Sequence, residues 1–326
     1  MKRFYYILLT LLPAFMACAE REFDFVPEEI GFKAVTRNAT KANVFGTIGT
    51  AYNDVEHFGV YAFHEVSADS WASAPYMNNV EIEKDTLDGL WRNLEKKYFW
   101  PSEGKLTFAC YSPYVFEGTV SASQETGITV TGYLASANVK QQIDLMASDL
   151  ITGYDNNVSP VSVTFRHLLS QIKFKAQSNF NYSAGTNVSG ITIDSLIIDG
   201  LNTKADYATT DGRRENGAWS NLSDPKEYCV LDSAVQLVLD GKSPVDVGIP
   251  ILPIPQDISQ SNSVKIVYTI TFDNGSKSTD TRYFSTVNEW QIGFIYTYTI
   301  KIGLNEISFV PNVEKWDLAN NVDVEI

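Results

Sequence analysis

The chain has 326 residues, 44% of them hydrophobic and 20% charged, with a formal net charge of −14. This length allows two domains, and the acidic balance argues against nucleic acid as a partner, because phosphates need a basic footprint. Aromatic residues reach 13%, with many Tyr and Thr, a composition suited to strands.

Residues 1–17 follow the pattern of an export signal. Lys2 and Arg3 precede an apolar run over residues 4–12, and Pro13 and Ala17 lead to Cys18. The run is too short to span a bilayer, which needs about 20 residues. A cysteine directly after a small residue is the pattern of a bacterial lipoprotein signal, in which the thiol is acylated and Cys18 becomes the new N-terminus. The competing reading is an ordinary export signal with a chance cysteine, and Phe15 stands where Leu is usual. Residues 19–22 are polar and suit a tether.

In residues 28–37, Ile30, Phe32 and Ala34 alternate with other residues, the period-2 signature of a strand with one buried face. Residues 38–43 are small and polar and read as a loop. Arg37 therefore lies where an extended segment meets an accessible loop, which is where proteases cut. The plainer reading is that Arg37 ends an edge strand, where charges are common. Residues 1–37 carry five basic side chains (Lys2, Arg3, Arg21, Lys33, Arg37) and five acidic ones (Glu20, Glu22, Asp24, Glu28, Glu29), so their removal leaves the full −14 on the remainder.

Short strands are predicted over 58–63, 79–83, 106–113 and 127–132, with an aromatic cluster at 98–101 closing a loop. Residues 141–153 have mixed period and fit either strand or a short helix. Residues 155–160 form the best linker. After it, 161–176 alternates but shifts phase at His167-Leu168-Leu169, which predicts a strand, a bulge or short helical turn, then another strand. Further strands are predicted over 191–198, 235–239, 247–254, 264–272 and 290–302. Asp273-Asn274-Gly275-Ser276 marks a hairpin turn, and Tyr296, Tyr298 and Ile300 share one face. Strands at this spacing, with turn signals between them, indicate an all-β sandwich or barrel.

The case for catalysis is thin, and no catalytic residues, metal ligands or cofactor are assigned. The three histidines are His57, His64 and His167, and neither His nor Cys shows zinc-type spacing. A phosphate loop and a nucleophile elbow are both missing from the sequence. His167, in an apolar run, reads as a satisfied structural histidine. The Trp and Tyr clusters read as core, with a surface platform for sugar rings as the alternative. With Cys18 assigned to lipid, Cys110 and Cys229 remain. Each sits in an apolar strand-like run, which favours two buried free thiols, although sequence leaves a disulfide open.

An ordered set of short motifs carries a resemblance. It comprises Cys18, Thr36-Arg37, Phe58-Gly59-Val60-Tyr61-Ala62-Phe63, Tyr98-Phe99-Trp100-Pro101 and Phe108-Ala109-Cys110-Tyr111-Ser112-Pro113. It continues with residues 165–174, Ile254-Pro255-Gln256, Trp290 with Gly293, Tyr296 and Tyr298, and finally Trp316. In order and spacing the chain resembles the fimbrillins, pilus-subunit lipoproteins of Bacteroidales surface fimbriae. The resemblance implies an all-β fold of two tandem transthyretin-like (Greek-key) β-sandwich domains. It also implies export to the outer membrane, lipidation, cleavage after an Arg and polymerisation by donor-strand exchange. Asn38 after the Arg, where Ala is more usual, departs from the pattern. The expected organisation is a lipoprotein signal over 1–17 and a lipidated pro-segment over 18–37 that carries the first strand. An N-terminal sandwich over 38–158 and a C-terminal sandwich over 159–326 follow. The implied partners are other copies of the chain or other fimbrial subunits, the outer membrane through lipid on Cys18 before maturation, and a host or bacterial surface glycan or protein.

The C-terminus repeats the spacing of the first strand. Val322, Val324 and Ile326 lie two apart, so one face is apolar. Such a segment can fill a groove left by Ile30, Phe32 and Ala34 through β-augmentation, as in donor-strand complementation of pilins. The donor region is expected to extend back through Trp316 toward Ile307. The simpler alternative is a last strand that closes its own sandwich. A different class of function, a monomeric surface lipoprotein that binds glycans through a β-sandwich, needs exposed aromatics and a permanent anchor at Cys18.

Overall fold

The structure, a computed structural model, describes residues 28–36, 57–155, 159–179, 187–258, 263–286, 289–303 and 307–316. Among these the chain is all-β, and the helical turns are short 3-10 turns. The first strands are β1 (Phe32–Thr36), β2 (Phe58–Ser67), β3 (Ser70–Trp71), β4 (Met77–Lys84) and β5 (Trp91–Arg92). Then come β6 (Lys105–Ser112), β7 (Thr119–Ser123), β8 (Gly127–Leu134), β9 (Met146–Ser148) and β10 (Ile151–Tyr154). The second half gives β11 (Val161–His167), β12 (Gln171–Ser178), β13 (Val188–Thr209), β14 (Gly217–Cys229) and β15 (Val235–Gln236). The last are β16 (Val245–Asp246), β17 (Val264–Phe272), β18 (Lys277–Phe284), β19 (Phe294–Ile302) and β20 (Ile307–Lys315).

Three sheets result. The first runs β10-β6-β9-β11-β1-β5-β4-β2-β3 and curls until β2 also pairs β6, giving a partial barrel. Its inward side chains, among them Phe32, Phe58, Phe108 and Phe165, make one core. The second sheet is β16-β12-β19-β20, and the third is β18-β17-β13-β8-β7, with β14 and β15 also on β13. The second and third sheets sandwich a core of Ile, Val and Tyr side chains around Trp290. A third core, with Tyr61, Tyr111, Tyr133, Leu168 and Trp316, joins the outer face of the first sheet to the other two.

Alternation decides most of these elements. In β17, Val264, Ile266, Tyr268 and Ile270 are buried while the residues between them are half-exposed. In β19, Tyr296, Tyr298 and Ile300 share the buried face, as their spacing predicts. The 273–276 turn closes with Gly275 at φ 81°, a conformation that favours glycine. Of residues 141–153, Gln141 ends a short 3-10 turn, and the later part forms β9 and most of β10.

Several elements differ from expectation. The phase shift at His167–Leu169 is a bend rather than a helical turn: β11 belongs to the first sheet and β12 to the second, and residues 168–170 cross between them. The sheets therefore hand over there, beyond the polar 155–160 stretch. Residues 247–254 form no continuous strand. Pro250, Pro253 and Pro255 remove ladder donors, and pairing reduces to a bridge between Ile172 and Ile251. The 22-residue β13 outruns the predicted 191–198, pairing β17 at its start and β8 near its end. Its partner β14 is almost wholly exposed, so no alternation announced it. Cys110 and Cys229 are free, but only Cys110 is buried. Cys229 ends β14 between the buried Tyr228 and Val230, and strand alternation turns it to the exposed side.

Candidate assembly site

The segment before Arg37 is a stave of the first sheet. β1 lies parallel to β11, with Phe32 opposite Val161, Ala34 opposite Val163 and Thr36 opposite Phe165. On its other side Phe32 pairs antiparallel with Trp91 of β5. Just upstream, Ile30 N–H donates to the Tyr98 carbonyl at 2.8 Å, and Trp100 N–H donates to the Glu28 carbonyl at 2.9 Å. Val161 N–H donates to the Gly31 carbonyl at 2.8 Å. The expected first-strand residues are placed accordingly: Ile30 and Phe32 are buried and Ala34 is half-buried.

Phe32 is fully enclosed. Its ring meets Phe58 and Phe108 edge to face, with centroids 6.0 and 5.5 Å away. Phe58 in turn packs on Phe165 and Trp91, at 5.3 and 5.5 Å. Burying one such side chain contributes about 1.5–3 kcal/mol. Glu29 adds an ionic clasp, 3.6 Å from Arg92 and 3.1 Å from Lys97. Removing this segment would leave an apolar slot between β11 and β5, with backbone groups on β11 lacking partners.

The chain's other end has a built root. β20 pairs antiparallel with β19 as the edge of its sheet. The next residue, Trp316, is buried, and its N–H donates to the Gly293 carbonyl at 2.7 Å. Its ring lies flat on His167, centroids 3.6 Å apart and planes 3° apart. Nδ1 of His167 sits 2.9–3.0 Å from the carboxylate of Asp144, which is also buried. A carboxylate only accepts, so Nδ1 carries the proton and the tautomer is fixed. His167 is thus a structural histidine whose partner, 23 residues away, no local pattern reveals. Residues 307–316, the expected rear of the donor region, lie here along the edge of this chain's own sheet and end in the buried Trp316.

Cys18, Arg37, Asn38, Val322, Val324 and Ile326 lie outside the described residues. Most aromatic side chains are core; among the described residues the exposed ones are Phe99, at 36%, and Tyr283, at 57%. No described helix is long and apolar enough to cross a membrane.

A sequence profile of the fimbrillin-like family matches residues 40–316. The chain belongs to the fimbrillin-like family. Among curated proteins none matches this fimbrillin-like chain. Among solved structures, it is similar to a fimbrial protein from Bacteroides vulgatus, at 23% identity and TM-score 0.66, covering 88% of this chain and 99% of that one. It is also similar to two proteins provisionally named for cell adhesion. The one from Bacteroides uniformis has 16% identity and TM-score 0.54, covering 88% of this chain and 98% of that one. The one from Bacteroides ovatus has 17% identity and TM-score 0.54, covering 89% and 98%. At these identities the likeness speaks for the fold, and the family assignment rests on the profile.

Proposed function

We propose that this fimbrillin-like chain is a structural, non-enzymatic subunit of a surface fimbria that supports adhesion. It is exported as a lipoprotein acylated on Cys18, held at the outer membrane, cleaved between Arg37 and Asn38, and polymerised by donor-strand exchange. Its partners are further copies of itself or other fimbrial subunits. The body works as two tandem transthyretin-like sandwiches, expected over 38–158 and 159–326.

One observation carries this reading. The strand that ends one residue before Arg37 lies parallel to β11 over five residues, and at its buried Phe32 it is also paired with β5. An internal strand is not disposable unless another takes its place, since its loss exposes a groove and leaves ladder groups without partners. Cleavage next to such a strand makes sense as the step that opens an acceptor. A segment of matching period, Val322-Asp323-Val324-Glu325-Ile326, stands at the other end of the sequence. The largely internal placement of the aromatics favours this reading over a glycan-binding surface lipoprotein.

N-terminal sequencing of assembled material tests it. The expected first residue is Asn38, and Arg37→Ala should retain the precursor and abolish heat-resistant ladders on gels. Assembled material that begins at Cys18 would remove the cleavage step. Cys18→Ala should leave the precursor in the periplasm; surface display of that variant at the parental level would remove lipidation.

A further inference from the structure

The antiparallel pairing of β2 with β4 sets Phe58 opposite Ile82 and Gly59 opposite Glu81. By the same register His57 falls opposite Glu83. Phe58 and Ile82 point into the barrel core, so the alternation of strands places His57, Glu81 and Glu83 together on the outer face. Nδ1 of His57 is 2.5 Å from Glu81 Oε1, and Nε2 is 3.6 Å from Glu83 Oε2. One nitrogen and one oxygen from each carboxylate can be chosen within 4.8 Å of one another. The three side chains are 32–39% exposed, open to an ion from solvent.

From these residues we propose a divalent-cation site, suited to zinc, formed by His57, Glu81 and Glu83. Three features support it. First, the donor set is right: one imidazole nitrogen and two carboxylates suit zinc, and three protein ligands leave a position for water. Second, the charge is unbalanced. Among the described residues, neither Glu81 nor Glu83 forms an ion pair with Lys or Arg. Arg92 lies opposite Glu83 in the ladder, yet its guanidinium turns to Glu29, Asp85 and Asp88. A dication would supply the countercharge that no described lysine or arginine gives these two carboxylates. Third, the backbone is pinned on both strands: Tyr114 N–H donates to the His57 carbonyl at 2.7 Å, and Asn93 Nδ2 donates to the Glu81 carbonyl at 2.8 Å. The ion would tie the start of β2 to β4. Sequence spacing misses the set because His57 and Glu81 are 24 residues apart.

Titrating zinc chloride into the purified chain tests the site by calorimetry. One saturable site is expected, lost in His57→Ala and weakened at least ~10-fold by Glu81→Gln or Glu83→Gln. His64→Ala and Cys229→Ser, which remove the other exposed nitrogen and thiol, should leave it unchanged. Zinc should raise the unfolding midpoint of the parent in proportion to the logarithm of free ion, and should not raise that of His57→Ala. If His57→Ala does not fold, His57→Gln is read in its place. Absence of saturable binding, or binding that survives the His57 and glutamate substitutions, overturns the proposal.

Discussion

Phe32 meets Phe108 edge to face, ring centroids 5.5 Å apart and planes at 89°. The segment that the proposed cut removes thus inserts a fully buried ring into the first core. Phe32→Ala should therefore destabilise the uncleaved chain by about 3–5 kcal/mol, the usual cost of truncating a buried Phe. Urea unfolding measures this. The same substitution is expected to have no effect on material already starting at Asn38, which lacks the strand. Equal losses in both forms would mean that the segment stays bound after cleavage.

Much of this fold was legible because alternation is a direct print of a half-buried strand. Ile30, Phe32 and Ala34 stood out in that way, as did β17 and β19. What stayed hidden has physical reasons. β14 is exposed throughout residues 220–227, so its middle has no hydrophobic period. Residues 247–254 are apolar enough for a strand but are interrupted by proline donors that do not exist. His167 with Asp144, and His57 with Glu81 and Glu83, are meetings between distant strands, set by register rather than by local spacing.

The two described cysteines should differ sharply in reactivity. Cys229 is exposed, whereas Cys110 is buried and its thiol is pushed up to about 12 by desolvation, with Ser148 opposing. Burial disfavours the thiolate, so Cys110 stays a thiol near neutral pH. The thiolate is the reacting species. A disulfide-exchange reagent at pH 8 should titrate Cys229 in the folded chain and Cys110 only after denaturation. Fast labelling of Cys110 under native conditions would show that the first core opens readily.

The Asp144–His167 pair should behave as a buried polar unit. His167→Phe keeps an aromatic ring beneath Trp316 but leaves the Asp144 carboxylate without its partner, at a cost of about 1–3 kcal/mol or more. His167→Phe combined with Asp144→Leu should recover part of that loss, because replacing both partners by apolar groups removes the unpaired charge. Urea midpoints at unchanged slope report both. Additive losses in the double variant would mean that the two residues do not act together.

The root at Trp316 separates folding from assembly at the C-terminus. Trp316 is buried in the subunit's own core, and the terminal alternation begins six residues further on, at Val322. Val322, Val324 and Ile326 repeat the spacing of Ile30, Phe32 and Ala34, so their apolar faces can enter the slot beside β11 in the same way. Three such side chains contribute about 1.5–3 kcal/mol each. Ordering the six residues 321–326 costs about 1–2 kcal/mol apiece. These nearly cancel, so the ladder bonds to β11, about 0.5–1.5 kcal/mol each, decide whether the polymer holds. Deleting residues 322–326 should therefore leave the unfolding midpoint of the isolated subunit unchanged and abolish ladders. Val324→Asp should do the same, because it sets a carboxylate among Phe58, Phe108 and Phe165, where an unpaired charge is costly. A deletion that lowers the midpoint would place the last strand in its own subunit. Ladders of parental length from both variants would exclude the C-terminus as donor.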